Sequence, residues 1–189
     1  MQTQFIEKRF PYDGTQLRSL YAYLEHRILG PSIIAWRGPC SISFEHMVDG
    51  EDLLAKAVIE GDEMLHFIIE VFDRDLFSGV ALQRLFASIV RDYLQGSVHV
   101  TLPQVDLFRD GDDIYFEQAK LSISIATKSP VSTLVHFAMN ITNSGTPVKT
   151  LSLQDLKLDP VRVAEDVMAL FHMEYVSMVE ATQKVRPVS

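Results

Sequence analysis

The order of the secondary-structure patterns constrains the fold of this chain more than any other feature. Apolar runs typical of strands follow one another in the middle of the chain, at residues 98–107, 114–116, 121–126 and 134–141. Asp110-Gly111 is a hairpin-type turn within this block. Helical periodicity flanks the block, over residues 80–94 before it and after Asp159-Pro160, where Asp suits a helix cap and Pro the first turn. We therefore expect an α+β fold, with a mixed, mainly antiparallel sheet and helices packed on it.

The first third of the chain carries shorter and weaker patterns. They predict strands at residues 4–10, 32–36 and 64–72, and a helix around residues 17–24 that ends at Gly30-Pro31. Residues 39–63 are the least regular and are rich in Asp and Glu.

Length and charge bound the class of protein. A chain of 189 residues with 47% hydrophobic residues is expected to form a single domain, residues 1–189. The 25 acidic against 17 basic residues give a net charge of −8, which disfavours nucleic acid as a partner. No apolar run is long enough to span a membrane, and the N-terminus lacks the apolar core of a signal peptide, so we expect a cytoplasmic protein without membrane contact.

The single cysteine, Cys40, excludes an internal disulfide and a multi-cysteine zinc site. It follows Arg37-Gly38-Pro39, where a nearby cation could lower its pKa at the mouth of a pocket. The alternative is a small buried apolar residue. In the acidic stretch, His46 and its acidic neighbours could hold a divalent cation or could simply form a solvated loop, and we assign no metal ligands.

The most suggestive segment runs from Arg109 to Ser124. Asp112 and Asp113 follow the turn, and Lys120 precedes a strand whose alternate residues, Ser122 and Ser124, carry hydroxyls. A lysine beside several hydroxyl donors suits a carboxylate, phosphate or carbonyl oxygen. The alternative is a hairpin with an exposed charge. We predict that Lys120 points into a concave site also lined by Arg37 and by hydroxyls between Ser122 and Thr133.

Most of the chain resembles the domain-of-unknown-function family numbered 366. The stretches that carry this resemblance are RGPC (37–40), MVDGED (47–52), GDDIY (111–115), KLSISIA (120–126) and SPVS (129–132). The family has no assigned activity, so this resemblance implies none.

The order of elements is also similar to that of the catalytic domain of biotin protein ligases, lipoate protein ligases and octanoyl transferases. Biotin ligases carry KWPNDI and then a lysine seven residues after its Asp; here RDGDDI (109–114) and Lys120 show that spacing from Asp113. Residues 135–140, with His136, stand where the ligases have HxGxxN. The glycine that follows the ligase lysine by three residues is Ile123 here.

The ligase resemblance implies a role for each candidate residue. Lys120 would be catalytic, contacting the acyl or phosphate oxygen. The substrate-binding candidates are Arg37, Gly38, Cys40, Arg109, Asp112, Asp113, Ser122, Ser124 and His136. ATP with Mg²⁺ is the candidate cofactor, and a homodimer the candidate assembly.

Two functions stay open. One is an acyl-adenylate or acyl-transfer enzyme acting on a small carboxylic acid. The other is a non-catalytic module of the same fold that binds a carboxylate or a nucleotide.

Overall fold

A five-stranded sheet forms the centre of the computed structural model, which describes residues 1–99 and 101–188. Its strands are β1 Gln2–Ile6, β2 Ser32–Ser41, β3 Glu60–Phe72, β7 Ser122–Lys128 and β8 Ser132–Asn140. They lie in the order β1-β2-β3-β8-β7. β1 runs parallel to β2, and the other pairs are antiparallel. The expected α+β fold with a mixed, mainly antiparallel sheet is confirmed.

A second, smaller sheet, four α-helices and a short 3-10 helix at Phe44–His46 complete the described fold. The small sheet has the order β4-β5-β6, with β4 Phe108–Asp110, β5 Asp113–Phe116 and β6 Ala119–Lys120. The helices are α1 Tyr21–His26, α2 Gly50–Ala55, α3 Leu76–Val98 and α4 Pro160–Gln183. As predicted, Asp159 caps α4 by accepting a hydrogen bond from the Arg162 backbone N–H at 2.8 Å. No helix within the described residues is both long and apolar enough to cross a membrane.

The two faces of the large sheet are covered differently, because side chains alternate along each strand. On one face α3 and α4 pack through Phe86, whose ring meets those of Phe67, Phe137 and Phe171. On the other face a second apolar cluster includes Ile34, Trp36, Met64, Ile68 and Ala138. This second face carries the candidate site.

The expected strand at residues 98–107 is wrong. Val98 ends α3, and residues 101–107 form turns followed by irregular chain; residue 100 lies outside the described residues. Val105 and Leu107 are buried as the alternation suggested. However, the side chain of Gln95 bonds both of their backbones, donating to the Val105 carbonyl at 3.1 Å and accepting from the Leu107 N–H at 2.7 Å.

Candidate functional site

A cavity of about 470 Å³ lies on the sheet face that α3 and α4 leave free. Its floor includes Tyr12 and Met64 together with Ile123 of β7 and His136 of β8. The walls come from residues 42–60 and from 146–150. A volume of this size suits a small organic ligand.

Lys120 lies in this cavity, held from both its backbone and its side chain. Its carbonyl accepts hydrogen bonds from the Leu151 N–H at 3.0 Å and from Asn140 Nδ2 at 3.1 Å. Its Nζ lies 2.7 Å from Asp113 Oδ2. Burial disfavours the ammonium, but the hydrogen bond and charge of Asp113 prevail, so the pKa of Lys120 is raised. Lys120 is therefore a cation at neutral pH, with hydrogens left to donate.

Asp113 is partly desolvated in this pair. Burial raises the pKa of the Asp113 carboxyl, although the hydrogen bond and charge of Lys120 oppose this.

Asp112 also lines the cavity, but its oxygens are engaged by the protein. Oδ2 accepts hydrogen bonds from Gln83 Nε2 of α3 at 2.8 Å and from Ser124 Oγ at 2.6 Å. Oδ1 lies 3.4 Å from Arg84 Nη2. Asp112 therefore ties α3 to β7, which positions the neighbouring Asp113 at the cavity wall.

The two strand hydroxyls do not face the cavity floor as expected. Ser122 and Ser124 pair with Met139 and Phe137 on the helix-covered face of the sheet. Ile123 between them packs on the cavity-side cluster. Ser124 donates to Asp112, and Ser122 Oγ accepts from the Ile114 backbone N–H at 2.9 Å. Farther along, Ser129 and Ser132 bond each other at 3.0 Å and do not line the cavity, contrary to the expected row of donors extending to Thr133.

Arg37, Gly38 and Cys40 do not form the expected ligand loop. They belong to β2, and the chain at residues 10–12 pairs with them: the Tyr12 N–H donates to the Pro39 carbonyl at 2.8 Å, and the Ser41 N–H to the Tyr12 carbonyl at 3.0 Å. A Cβ on Gly38 would collide with the carbonyl oxygen of Phe10. Gly38 thus permits a close approach of backbone, not of ligand.

The position of Arg37 and Cys40 in this paired strand also determines where their side chains lie. Arg37 follows Trp36 in the strand, so alternation directs it to the helix-covered face, away from the cavity. Cys40 is unpaired but buried, with 2% of its surface exposed, and does not lie at a pocket mouth. Burial and the charge of Glu60 raise the pKa of the Cys40 thiol to about 12.

Arg109 also lies outside the cavity. It sits in exposed β4, and its guanidinium donates to the Gly111 carbonyl of its own turn. The hairpin thus satisfies this cation locally.

His136 of the cavity floor pairs with His66, a buried residue behind it that the sequence did not single out. His66 Nδ1 lies 3.2 Å from His136 Nε2, and His66 Nε2 lies 3.2 Å from the Gly38 carbonyl oxygen. The Tyr12 ring stacks on His136 with centroids 3.6 Å apart. Burial lowers the pKa of His66 to about 4, and burial together with His66 lowers that of His136 well below its usual value. The sequence does contain a signal for this pair, because β3 and β8 each carry one histidine within an otherwise apolar run.

The remaining charge of the cavity is negative. Six carboxylates line it, from Asp49, Glu51, Asp52, Glu60, Asp112 and Asp113, and Lys120 is the one lysine or arginine among the described lining residues. Burial and the charge of Asp49 raise the pKa of Asp52, against the effect of Lys120. Across residues 1–99 and 101–188, no three His, Cys, Asp or Glu side chains come together as metal ligands. Asp49 instead caps α2, accepting from the Glu51 N–H at 2.7 Å.

Comparison with known proteins places the chain in a family. The family model described as "Domain of unknown function (DUF366)" matches residues 1–186. The chain belongs to this family. An uncharacterized protein of Methanocaldococcus jannaschii is 30% identical to this DUF366 protein in an alignment of 186 residues that covers 95% of this chain and 81% of that protein.

Solved structures extend the comparison to the fold. A protein of unknown function from Pyrococcus horikoshi superposes on this DUF366 protein with a TM-score of 0.92 at 36% identity, over 100% of this chain and 99% of that one. A mutant biotin protein ligase from Aquifex aeolicus in complex with biotin superposes with a TM-score of 0.62 at 12% identity, over 95% of this chain and 72% of that one. A putative lipoate protein ligase from T. acidophilum with bound lipoic acid superposes with a TM-score of 0.55 at 13% identity, over 94% of this chain and 86% of that one. The DUF366 protein therefore has the biotin/lipoate ligase fold, as its element order predicted.

Proposed function

We propose that this protein binds a small carboxylic acid in the cavity and that Lys120 holds the carboxylate, with acyl transfer as the reaction class. The observation that carries the proposal is the position of Lys120, a partly buried ammonium on the wall of a ligand-sized cavity. Asp113 takes one of its three hydrogens, which leaves two for the oxygens of a ligand. In an acyl transfer the same ammonium would stabilise the negative charge that develops on the carbonyl oxygen.

The body of the acid would lie against the apolar part of the cavity. Ile42, Met64, Ile123 and Ile125 all line it, and an acyl chain buried against such side chains gains about 0.8 kcal/mol per methylene. The solved ligases with biotin and with lipoic acid support an acid of this size on this fold.

A nucleoside triphosphate does not fit the described lining residues. Its phosphates need several cations, whereas the cavity offers Lys120 among six carboxylates, and Arg37 and Arg109 lie elsewhere. This charge pattern disfavours formation of an acyl-adenylate from ATP. Acyl transfer without ATP is compatible with it, and the second candidate is a carboxylate-binding module without chemistry.

The first test is calorimetric titration of octanoate, lipoate and biotin into wild type and Lys120→Met. Methionine removes the charge and keeps an unbranched side chain. Loss of a charge-assisted contact should cost about 1.5–3 kcal/mol, or about ten- to a hundredfold in affinity. Lys128→Met is the matched control, because Lys128 ends β7 exposed and outside this cavity.

A second variant separates the carboxylate contact from simple loss of the ion pair. Asp113→Asn removes the charge that competes for Lys120, so carboxylate affinity should stay equal or rise. Equal affinity of wild type and Lys120→Met for every acid would refute the proposal. Turnover distinguishes enzyme from module when the acid is supplied as an activated thioester. Lys120-dependent transfer of the octanoyl group from an octanoyl thioester to an added amine, with release of the donor thiol, favours the enzyme.

A further inference from the structure

The hydrogen bond between His66 and His136, the histidine at the cavity floor, has a fixed direction. The Gly38 carbonyl oxygen can only accept, so His66 Nε2, 3.2 Å away, must carry the hydrogen. A neutral His66 then has a bare Nδ1, which can only accept. His136 Nε2, 3.2 Å from it, must therefore be the donor.

This chain of bonds determines what His136 presents at its other nitrogen. Both rings are almost fully enclosed, at 0% and 1% exposure for His66 and His136, and burial keeps both neutral. A neutral His136 with hydrogen on Nε2 has a lone pair on Nδ1. The cavity floor thus offers an acceptor, not a donor.

That acceptor has no partner within residues 1–99 and 101–188. His136 lines the cavity, and its Nδ1 makes no hydrogen bond to another described residue. The stacked Tyr12 ring, inclined by 8°, holds the plane of the imidazole. An acceptor of a cavity-lining residue that makes no bond to the described protein is available to a donor group that the ligand supplies.

We propose that the ligand carries an N–H or O–H group that donates to His136 Nδ1, with His66 acting as the residue that positions this acceptor. The proposal deepens the proposed function and rests on the same cavity. His136 pairs with Ile125, five residues after Lys120 in the chain, and five extended residues span at most about 16–18 Å. The ligand is then an acid whose carboxylate meets Lys120 and whose far end bears a hydroxyl or an amine.

The test compares octanoate with its ω-hydroxy and ω-amino derivatives by calorimetry. Wild type should bind both derivatives about tenfold or more tightly than octanoate, because the donor satisfies a buried acceptor. His136→Phe keeps a ring to stack on Tyr12 but lacks the nitrogen, and it should abolish this preference. Lys120→Met should weaken all three acids and keep the preference.

Octylamine, which has a donor but no carboxylate, separates the two proposals. Octylamine binding that is lost in His136→Phe supports the donor site even where Lys120 proves irrelevant to the acids. The donor site is overturned when octanoate binds as tightly as its derivatives, when His136→Phe retains the preference, or when no donor-bearing probe binds. Nitrogen-15 NMR of the histidine side chains adds a ligand-free readout: hydrogen on His136 Nδ1 would also overturn the proposal.

Discussion

The Cys40 thiol is enclosed by the sheet and by residues 10–12, and this decides its reactivity. A rise in thiol pKa from 9.0 to about 12 leaves about a thousandfold less thiolate at a given pH. We expect a disulfide reagent such as DTNB to label the folded protein far more slowly than the chain in denaturant. As Cys40 is the sole cysteine, the released thiolate reports it directly. Equal labelling rates in both states would contradict the buried position.

Individual site residues were predictable where their contacts are local in sequence. Lys120 and Asp113 lie on adjacent strands of one hairpin, so their pairing follows from the short spacing that the sequence shows. The placement of Arg37 and Cys40 was not predictable, because it depends on residues 10–12, about thirty positions away in the chain. Gly38-Pro39 reads as a turn, yet Pro39 lies at a register shift of β2 that accommodates it.

At the scale of elements, the contact between β2 and residues 10–12 depends on the absence of a side chain at Gly38. Gly38→Ala would press a methyl group against the Phe10 carbonyl, which also accepts a hydrogen bond from Trp36 Nε1 at 3.1 Å. We expect a loss of about 1–3 kcal/mol in the free energy of unfolding, measured by urea denaturation.

The control for this loss is Gly96→Ala, inside α3, where an added Cβ meets nothing within 4 Å. Alanine there should stabilise the helix by about 0.5–1 kcal/mol. The close contact at Gly38 would be refuted if both variants were as stable as wild type.

The segment that ends at Leu107 shows what a hydrophobic pattern cannot predict. Strand and turn segments can bury alternate residues in the same way, as Val105 and Leu107 do. What distinguishes them is the partner of the backbone groups, and here the partner is one glutamine side chain rather than a strand. The periodicity of a sequence indicates which side chains are buried, but it does not indicate which group bonds to their backbone.

At the scale of the whole molecule, the consecutive strands between two amphipathic helices were enough to predict the fold class. The five-stranded sheet and the helices α3 and α4 are those that the patterns indicated. The cavity was less predictable, since it forms where β7, residues 42–60 and residues 146–150 meet, and the second of these segments had no regular pattern.

The buried histidine pair makes the stability of the whole fold depend on pH. The pKa of His66 falls from 6.5 to about 4 on folding, and that of His136 is also lowered. Between pH 6.5 and about pH 4 the unfolded chain binds protons that the folded protein does not. The free energy of unfolding therefore decreases as the pH falls through this window, and the full contribution of the neutral histidines is present above about pH 7. Each histidine contributes about 1.4 kcal/mol per pH unit within it.

Urea denaturation of wild type and His136→Phe between about pH 7 and about pH 5 isolates this contribution, because the carboxylates respond alike in both proteins. Removing one of the two titrating rings should make the decline in stability distinctly shallower, even where the variant is less stable at pH 7. Parallel declines would show that His136 is not held neutral in the folded protein, which would also remove the bare Nδ1 from the cavity floor.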